Sequence, residues 1–261
     1  QLLCVRPSSE DPDWGGPGAI LNIGMNDARL AELSESIGAE AATKLYLKFI
    51  QSYSTHVARL DPDIFDVLDS AAPDTVSDYL AAYEDEAEEP FPQDLDTQLA
   101  GVLRSMARAW EGTTARLLRQ AKGAPADAGL GLVIQAMALG VGRGESGSGV
   151  LQLANSDTGL PQITGRYMSQ SQGRDALQTG AAAMFLQKDD RGPSLEEKAP
   201  AAFAKLTEHA ALMRRKLREE MQCEFTLENG EICILDGVRV HRSAPAAVRI
   251  AVSLAEDRII P

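Results

Sequence analysis

Cysteine is scarce in this sequence: Cys4, Cys223 and Cys233 are the three among 261 residues. Scattered thiols with no CxxC spacing argue against a disulfide framework and against a zinc ribbon, and they fit a reducing, cytoplasmic compartment. Histidine is equally sparse, and His56, His209 and His241 lie far from the cysteines in sequence. No apolar run approaches the ~20 residues needed to span a bilayer, which argues against a membrane protein. Positive charge is in deficit, with 25 Lys+Arg against 38 Asp+Glu for a net charge of −13. Such a surface repels phosphate backbones, so nucleic acid is not an expected partner, and an anionic ligand would need a local concentration of basic groups. HExxH, GxSxG and any Ser/His/Asp set are also missing, so pattern alone names no reaction. Gln1 opens directly into an apolar run with no signal-peptide character, which predicts an upstream segment.

What is present is ordinary globular composition, 44% apolar and 24% charged, in a chain long enough for one large domain or two lobes. Residues 2–5 read as a short buried strand leading into a loop of breakers from Pro7 to Gly18, Pro12 among them. Asn26 is placed to cap a helix that turns Leu30 and Leu33 inward and ends at Gly38. A second helix is expected over 39–60, with Leu45, Phe49, Ile50, Tyr53 and Val57 on one face. Residues 61–93 are broken by Pro62, Pro73, Pro90 and Pro92. The helix over 94–120 has the strongest periodicity, through Leu99, Val102, Leu103, Met106, Trp110 and Leu117. Strands are expected at 130–139, 149–153 and 162–168, a helix at 195–221, a hairpin turning on Asn229 and Gly230, and a last helix at 244–257. Helices followed by strands, without βαβ alternation, predict an α+β fold.

Four features invite a functional reading, and each has a plainer one. The carboxylates at 84–89 lack the order of calcium ligands and read as a solvated helix end. Trp110 reads as core. The glycine-rich stretch 140–149 could wrap a phosphate but lacks the Lys-Ser/Thr ending of a P-loop, so a hairpin loop is the commoner reading. The cluster Arg214, Arg215, Lys216 and Arg218 is the one concentration of positive charge and reads as a solvated helix face.

Several segments, in order, resemble the N-terminal nucleotide-binding domain of pyruvate phosphate dikinases. They are LCVRP (3–7) with LNIGMND (21–27), KFIQ (48–51), FPQDLDTQL (91–99) with the helix from Ser105 to Trp110, QAM (135–137), SGV (148–150) with Thr158 and Gly159, Gln172 and Gly173 with Asp175, and EFTL (224–227) through Ala251. The resemblance covers residues 1–261 as one such domain, with 28–120 mainly helical and 130–261 carrying a mixed or antiparallel sheet. It implies an ATP-grasp-like fold, ATP and Mg²⁺ as ligands, and a phosphohistidine domain, in the same or another chain, as phosphoryl acceptor. Arg6 and Glu224 are the catalytic positions it implies. Arg6, Gln135, Met137, Glu224 and Asp236 are the implied nucleotide contacts, with Glu224 and Asp236 toward the metal. It also places a lysine upstream of Gln1.

The departures fall on charged positions. The acid two residues before Glu224 is Gln222, and the family's Gln-x-Arg becomes Asp236, Gly237 and Val238. An arginine is lost again at 153–156, acidic positions become Arg166 and Arg174, and the glycine-rich loop reads Pro17, Gly18, Ala19. Phosphoryl transfer relies on preorganised charge, and removing one such group costs ~10²–10³-fold in rate. The sequence therefore predicts a nucleotide-binding domain with a degenerate catalytic site and a binding or regulatory role, against the alternative of an active phosphotransferase. Within the hairpin, hydrophobic patterning favours a two-residue Asn229-Gly230 turn, which sends Glu224 and Asp236 to opposite faces. The implied chemistry needs them together, so a three-residue loop over 228–230 is the expectation.

Overall fold

In a computed structural model the described residues are 1–9, 14–70, 74–173 and 183–261. Pro12, Pro73, Arg174 and Asp175 lie outside them. The chain divides into two compact units, Gln1–Met137 and Ala138–Pro261, and its architecture is α+β with two antiparallel sheets.

The first unit holds β1 (Leu3–Ser8), β2 (Ile20–Ile23), α1 (Asp27–Ile37), α2 (Ala39–Tyr53), α3 (Thr75–Ala87), α4 (Leu95–Glu111), α5 (Thr113–Ala121) and β3 (Gly131–Ala136). Its sheet has the order β2-β1-β3. The apolar segment after residue 130 therefore belongs with Leu3–Ser8 and not with the later strands, because six successive rungs pair β1 with β3. Asn26 caps α1 as expected, its side chain accepting from the Arg29 amide at 2.7 Å. The helix expected over 39–60 ends its α-form at Tyr53 and continues as a π turn over Ser54–Ala58. The expected 94–120 helix breaks at Gly112, whose extended backbone ends α4 and starts α5. Leu117 then lies 60% exposed instead of inward.

The few aromatic residues are concentrated here. Tyr46, Phe49, Tyr53 and Tyr83 surround Phe91, with ring centroids 5.1–6.2 Å away. Beside them sits a polar knot. The Gln98 amide group donates to the carbonyls of Met25 (2.9 Å) and Pro92 (2.7 Å) and accepts from the Gly24 amide (2.7 Å). Gln93 accepts from the Asp27 amide at 3.0 Å and donates to the Tyr46 hydroxyl at 3.0 Å. Burying three backbone groups is tolerable only because Gln98 satisfies them all.

The second unit holds β4 (Gly147–Ala154), β5 (Pro161–Ser169), α6 (Leu195–Lys198), α7 (Pro200–Leu217), β6 (Gln222–Glu228), β7 (Glu231–Val238) and α8 (Ala244–Glu256). The sheet order is β5-β4-β6-β7. The helix expected at 195–221 is split at Ala199, ahead of Pro200, which disfavours helical backbone at the residue before it. α7 lays Ala202, Phe203, Leu206 and Ala210 on a core of Leu151, Tyr167, Cys223, Phe225 and Leu227. Glycines permit the tight sheet: a side chain at Gly165, whose φ is +136°, would run into the Val150 carbonyl of the neighbouring strand.

Candidate functional site

Alternation along β1 and β3 places Arg6 and Gln135 on one face of the first sheet, since Cys4 pairs with Gln135 and Arg6 with the next residue of that face, Val133. Burial pushes the Cys4 thiol upward from its usual value, and the Arg6 charge opposes that shift. Met137 follows β3 directly, its amide donating to the Leu2 carbonyl at 3.0 Å. Three expected contact residues thus cluster at β1 and β3.

The remaining expected residues, Glu224 and Asp236, lie on the β6–β7 hairpin of the second unit, and here one expectation is overturned. Asn229 and Gly230 both have positive φ, 49° and 82°, and Glu228 pairs with Glu231, so the loop is a two-residue turn and not the three-residue loop over 228–230. Asparagine and glycine both accept the left-handed region, and the turn aligns Leu227 with Ile232 and Phe225 with Ile234 over the core. The register then shifts by one between Glu224 and Phe225. Leu235 is the extra residue, a β-bulge on β7. Glu224 consequently pairs directly with Asp236, Cys223 with Gly237 and Gln222 with Val238. Without the bulge Asp236 would oppose Cys223, on the face that α7 covers. Gly237 takes that place, beneath Met213 and Leu217.

Glu224 is half-buried and Asp236 exposed. Asp236 Oδ1 accepts from the Gly237 amide at 2.8 Å. Both carboxylates act on Cys223, whose thiol is pushed up to about 12, first by burial and then by Glu224 and Asp236. No group of three or more His, Cys, Asp or Glu among the described residues could hold a metal ion. Two carboxylates across a ladder nevertheless suit Mg²⁺, which takes one or two carboxylates and completes its shell with water and phosphate oxygens.

The glycine-rich stretch is engaged within its own unit. The Gly142 amide donates to Gln170 Oε1 (2.9 Å), and the Leu139 amide donates to the Glu228 carboxylate (2.7 Å). The Gly230 amide donates to the Glu145 carbonyl at 2.9 Å, docking the stretch on the hairpin turn. Glu145 also accepts from the Tyr167 hydroxyl at 2.7 Å. The basic cluster is partly consumed in pairs: Arg214 with Glu220, Arg214 with Asp257 at 2.7 Å, and Arg218 with the Ile259 carbonyl at 3.0 Å. Arg242 pairs with Glu219 at 3.0 Å. The carboxylates at 84–89 are exposed and close α3. Trp110 is core, 4% exposed.

Sequence reasoning missed the Gln98 and Gln93 knot. Its signals were a glutamine on an otherwise apolar helix face and the FPQDLDTQL segment (91–99) that holds both residues.

Comparison with known proteins shows the chain to be a homologue of the pyruvate, phosphate dikinases over nearly its whole length. It is 30% identical to pyruvate, phosphate dikinase of Rhizobium meliloti (strain 1021), covering 99% of this chain and 32% of that protein. The enzyme of Clostridium symbiosum is 27% identical, covering 99% of this chain and 31% of that protein. The chloroplastic enzyme of Flaveria trinervia is 26% identical, with 99% and 28% covered. The chain spans about a third of the length of these relatives. No protein-family model matches it.

Proposed function

We propose that this chain is an ATP-grasp-like domain that binds ATP·Mg²⁺, with a phosphate end too depleted in charge for efficient phosphoryl transfer, and that it serves in binding or regulation. The observation that carries the reading is the direct pairing of Glu224 with Asp236 beside the substituted pair Gln222 and Val238. Glu224 is kept and Asp236 supplies a second carboxylate where the resemblance implies a glutamine, while the guanidinium implied for the phosphates is replaced by Val238. When bound, Mg²⁺ would neutralise phosphate charge. Glu224 and Asp236 would hold it, Arg6 would contact phosphate, and Gln135 and Met137 would lie along the nucleotide. Losing one preorganised charge-stabilising group lowers rate by ~10²–10³-fold, and Val238 cannot bind an anion.

Titration calorimetry with ATP·Mg²⁺ tests binding, and absence of saturable heat overturns the reading. AMP formation, with phosphate and a histidine-bearing acceptor domain supplied, tests the second part. Turnover typical of an efficient kinase, ~1–100 s⁻¹, would establish the alternative, an active phosphotransferase domain passing a phosphoryl group to a histidine.

A further inference from the structure

The first unit carries a second candidate site that the nucleotide reading does not use. An open groove of about 610 Å³ runs between the α4–α5 corner and the segment leading into β3, lined by Trp110, Glu111, Arg116, Arg119, Asp127, Leu132 and their neighbours. Its size is that of a small-molecule pocket, ~300–1,000 Å³. Arg119 is its distinctive element. The residue is only 6% exposed, and its guanidinium lies 3.7 Å from the centroid of the Trp110 indole. Nη1 donates to the Trp110 carbonyl at 2.7 Å, and the indole N–H is fixed on the Ala128 carbonyl at 3.2 Å. Among the described residues Arg119 has no carboxylate partner; the neighbouring ion pair is Arg116 with Glu111, at 3.9 Å.

A buried guanidinium without a counter-ion is unfavourable, and stacking on indole with one carbonyl bond offsets that only in part. Of its five N–H donors, one has a described protein acceptor. A planar carboxylate matches the remaining fork. Glu111 and Asp127 line the same groove and repel multiply charged anions, so a nucleotide or phosphate is disfavoured against a monoanion. Leu130, Leu132 and the indole provide an apolar wall. We propose that this groove binds a small monocarboxylate with an apolar body, its carboxylate on Arg119 and its body along Leu130 and Leu132.

The test uses the full chain carrying Trp14→Phe, so that Trp110 is the sole indole, titrated with benzoate, benzamide or inorganic phosphate while its fluorescence is followed. A saturable change with benzoate, absent with benzamide and phosphate, and at least about tenfold weaker in Arg119→Gln, is the expected result for a lost charge-assisted hydrogen bond. Should Arg119→Gln fail to fold by circular dichroism, Leu132→Glu sets a like charge in the wall while leaving the Arg119–Trp110 stack in place. It should weaken benzoate by a similar factor. No saturable change with benzoate, equal binding of benzamide or phosphate, or unaltered benzoate affinity in either folded variant would overturn the proposal.

Discussion

Gln222 and Val238 face each other across the β6–β7 ladder. They stand where the dikinase resemblance implies an acid and an arginine, so two apparent losses are a single cross-strand exchange. An amide and an isopropyl group stand in place of the implied acid and arginine, and Gln222 accepts from Gln152 at 3.0 Å. Replacing both members of a pair together avoids stranding a charge, which would destabilise by ~3–5 kcal/mol. The hairpin therefore keeps its ladder without either charge.

That pairing makes restoration cooperative. Val238→Arg with Gln222→Asp should tighten ATP·Mg²⁺ by ~1–3 kcal/mol, on the scale of a charge-assisted hydrogen bond. Val238→Arg alone should gain less, because nothing opposite holds the guanidinium. Calorimetry on the three proteins checks this, and equal gains would show that the cross-strand partner has no role.

Arg6→Ala should weaken any ATP·Mg²⁺ binding by ~1–3 kcal/mol. The same titration reads it, and unchanged affinity removes Arg6 from the site.

Gln98→Leu should lower the stability of the first unit by about 3 kcal/mol, since it strands the Gly24 amide and the carbonyls of Met25 and Pro92. Melting followed by circular dichroism should fall by roughly 6–12 °C. Leu117→Ala, at an exposed position, should change stability by no more than about 0.5 kcal/mol. Comparable losses in the two variants would contradict the knot.

Stability should fall in alkali. Cys223 is raised from 9.0 to about 12, chiefly by burial, and Tyr83 from 10.0 to about 12, also chiefly by burial. Both folded values lie above the unfolded ones, so the folded chain keeps protons that the unfolded chain releases. The contribution is complete below pH 9.0 and is lost as pH climbs toward about 12, more steeply once tyrosine titrates above 10.0. Urea midpoints measured on either side of the thiol's ordinary value should show the decline, and Cys223→Ser should reduce its first part, to which the raised Cys4 and Cys233 thiols also contribute.

Element types were largely legible because period and punctuation are local: Asn26 capped α1, and residues 222–228 and 231–238 formed the hairpin. Sheet membership was not, since pairing Gly131–Ala136 with Leu3–Ser8 joins segments more than a hundred residues apart and leaves no local trace. Strand β2 was overlooked, its four residues being too few to show alternation. In the hairpin, each line of reasoning held half of the outcome. Patterning gave the turn, while the resemblance required Glu224 and Asp236 together, and both are met because an extra residue, Leu235, lies seven positions into the sequence that follows Glu228. A bulge of this kind has no composition signal.

That bulge has a consequence for self-association. β7 is an outer strand of the β5-β4-β6-β7 sheet, and a flat outer strand is a template onto which another chain can add. Leu235 kinks the ladder midway, and the exposed Asp236 sets negative charge at the kink, while Glu231 is paired with Lys205 at 2.9 Å. A second copy approaching in register would meet interrupted hydrogen bonding and like charge, so the residue that positions Asp236 also guards the sheet against growth into fibres.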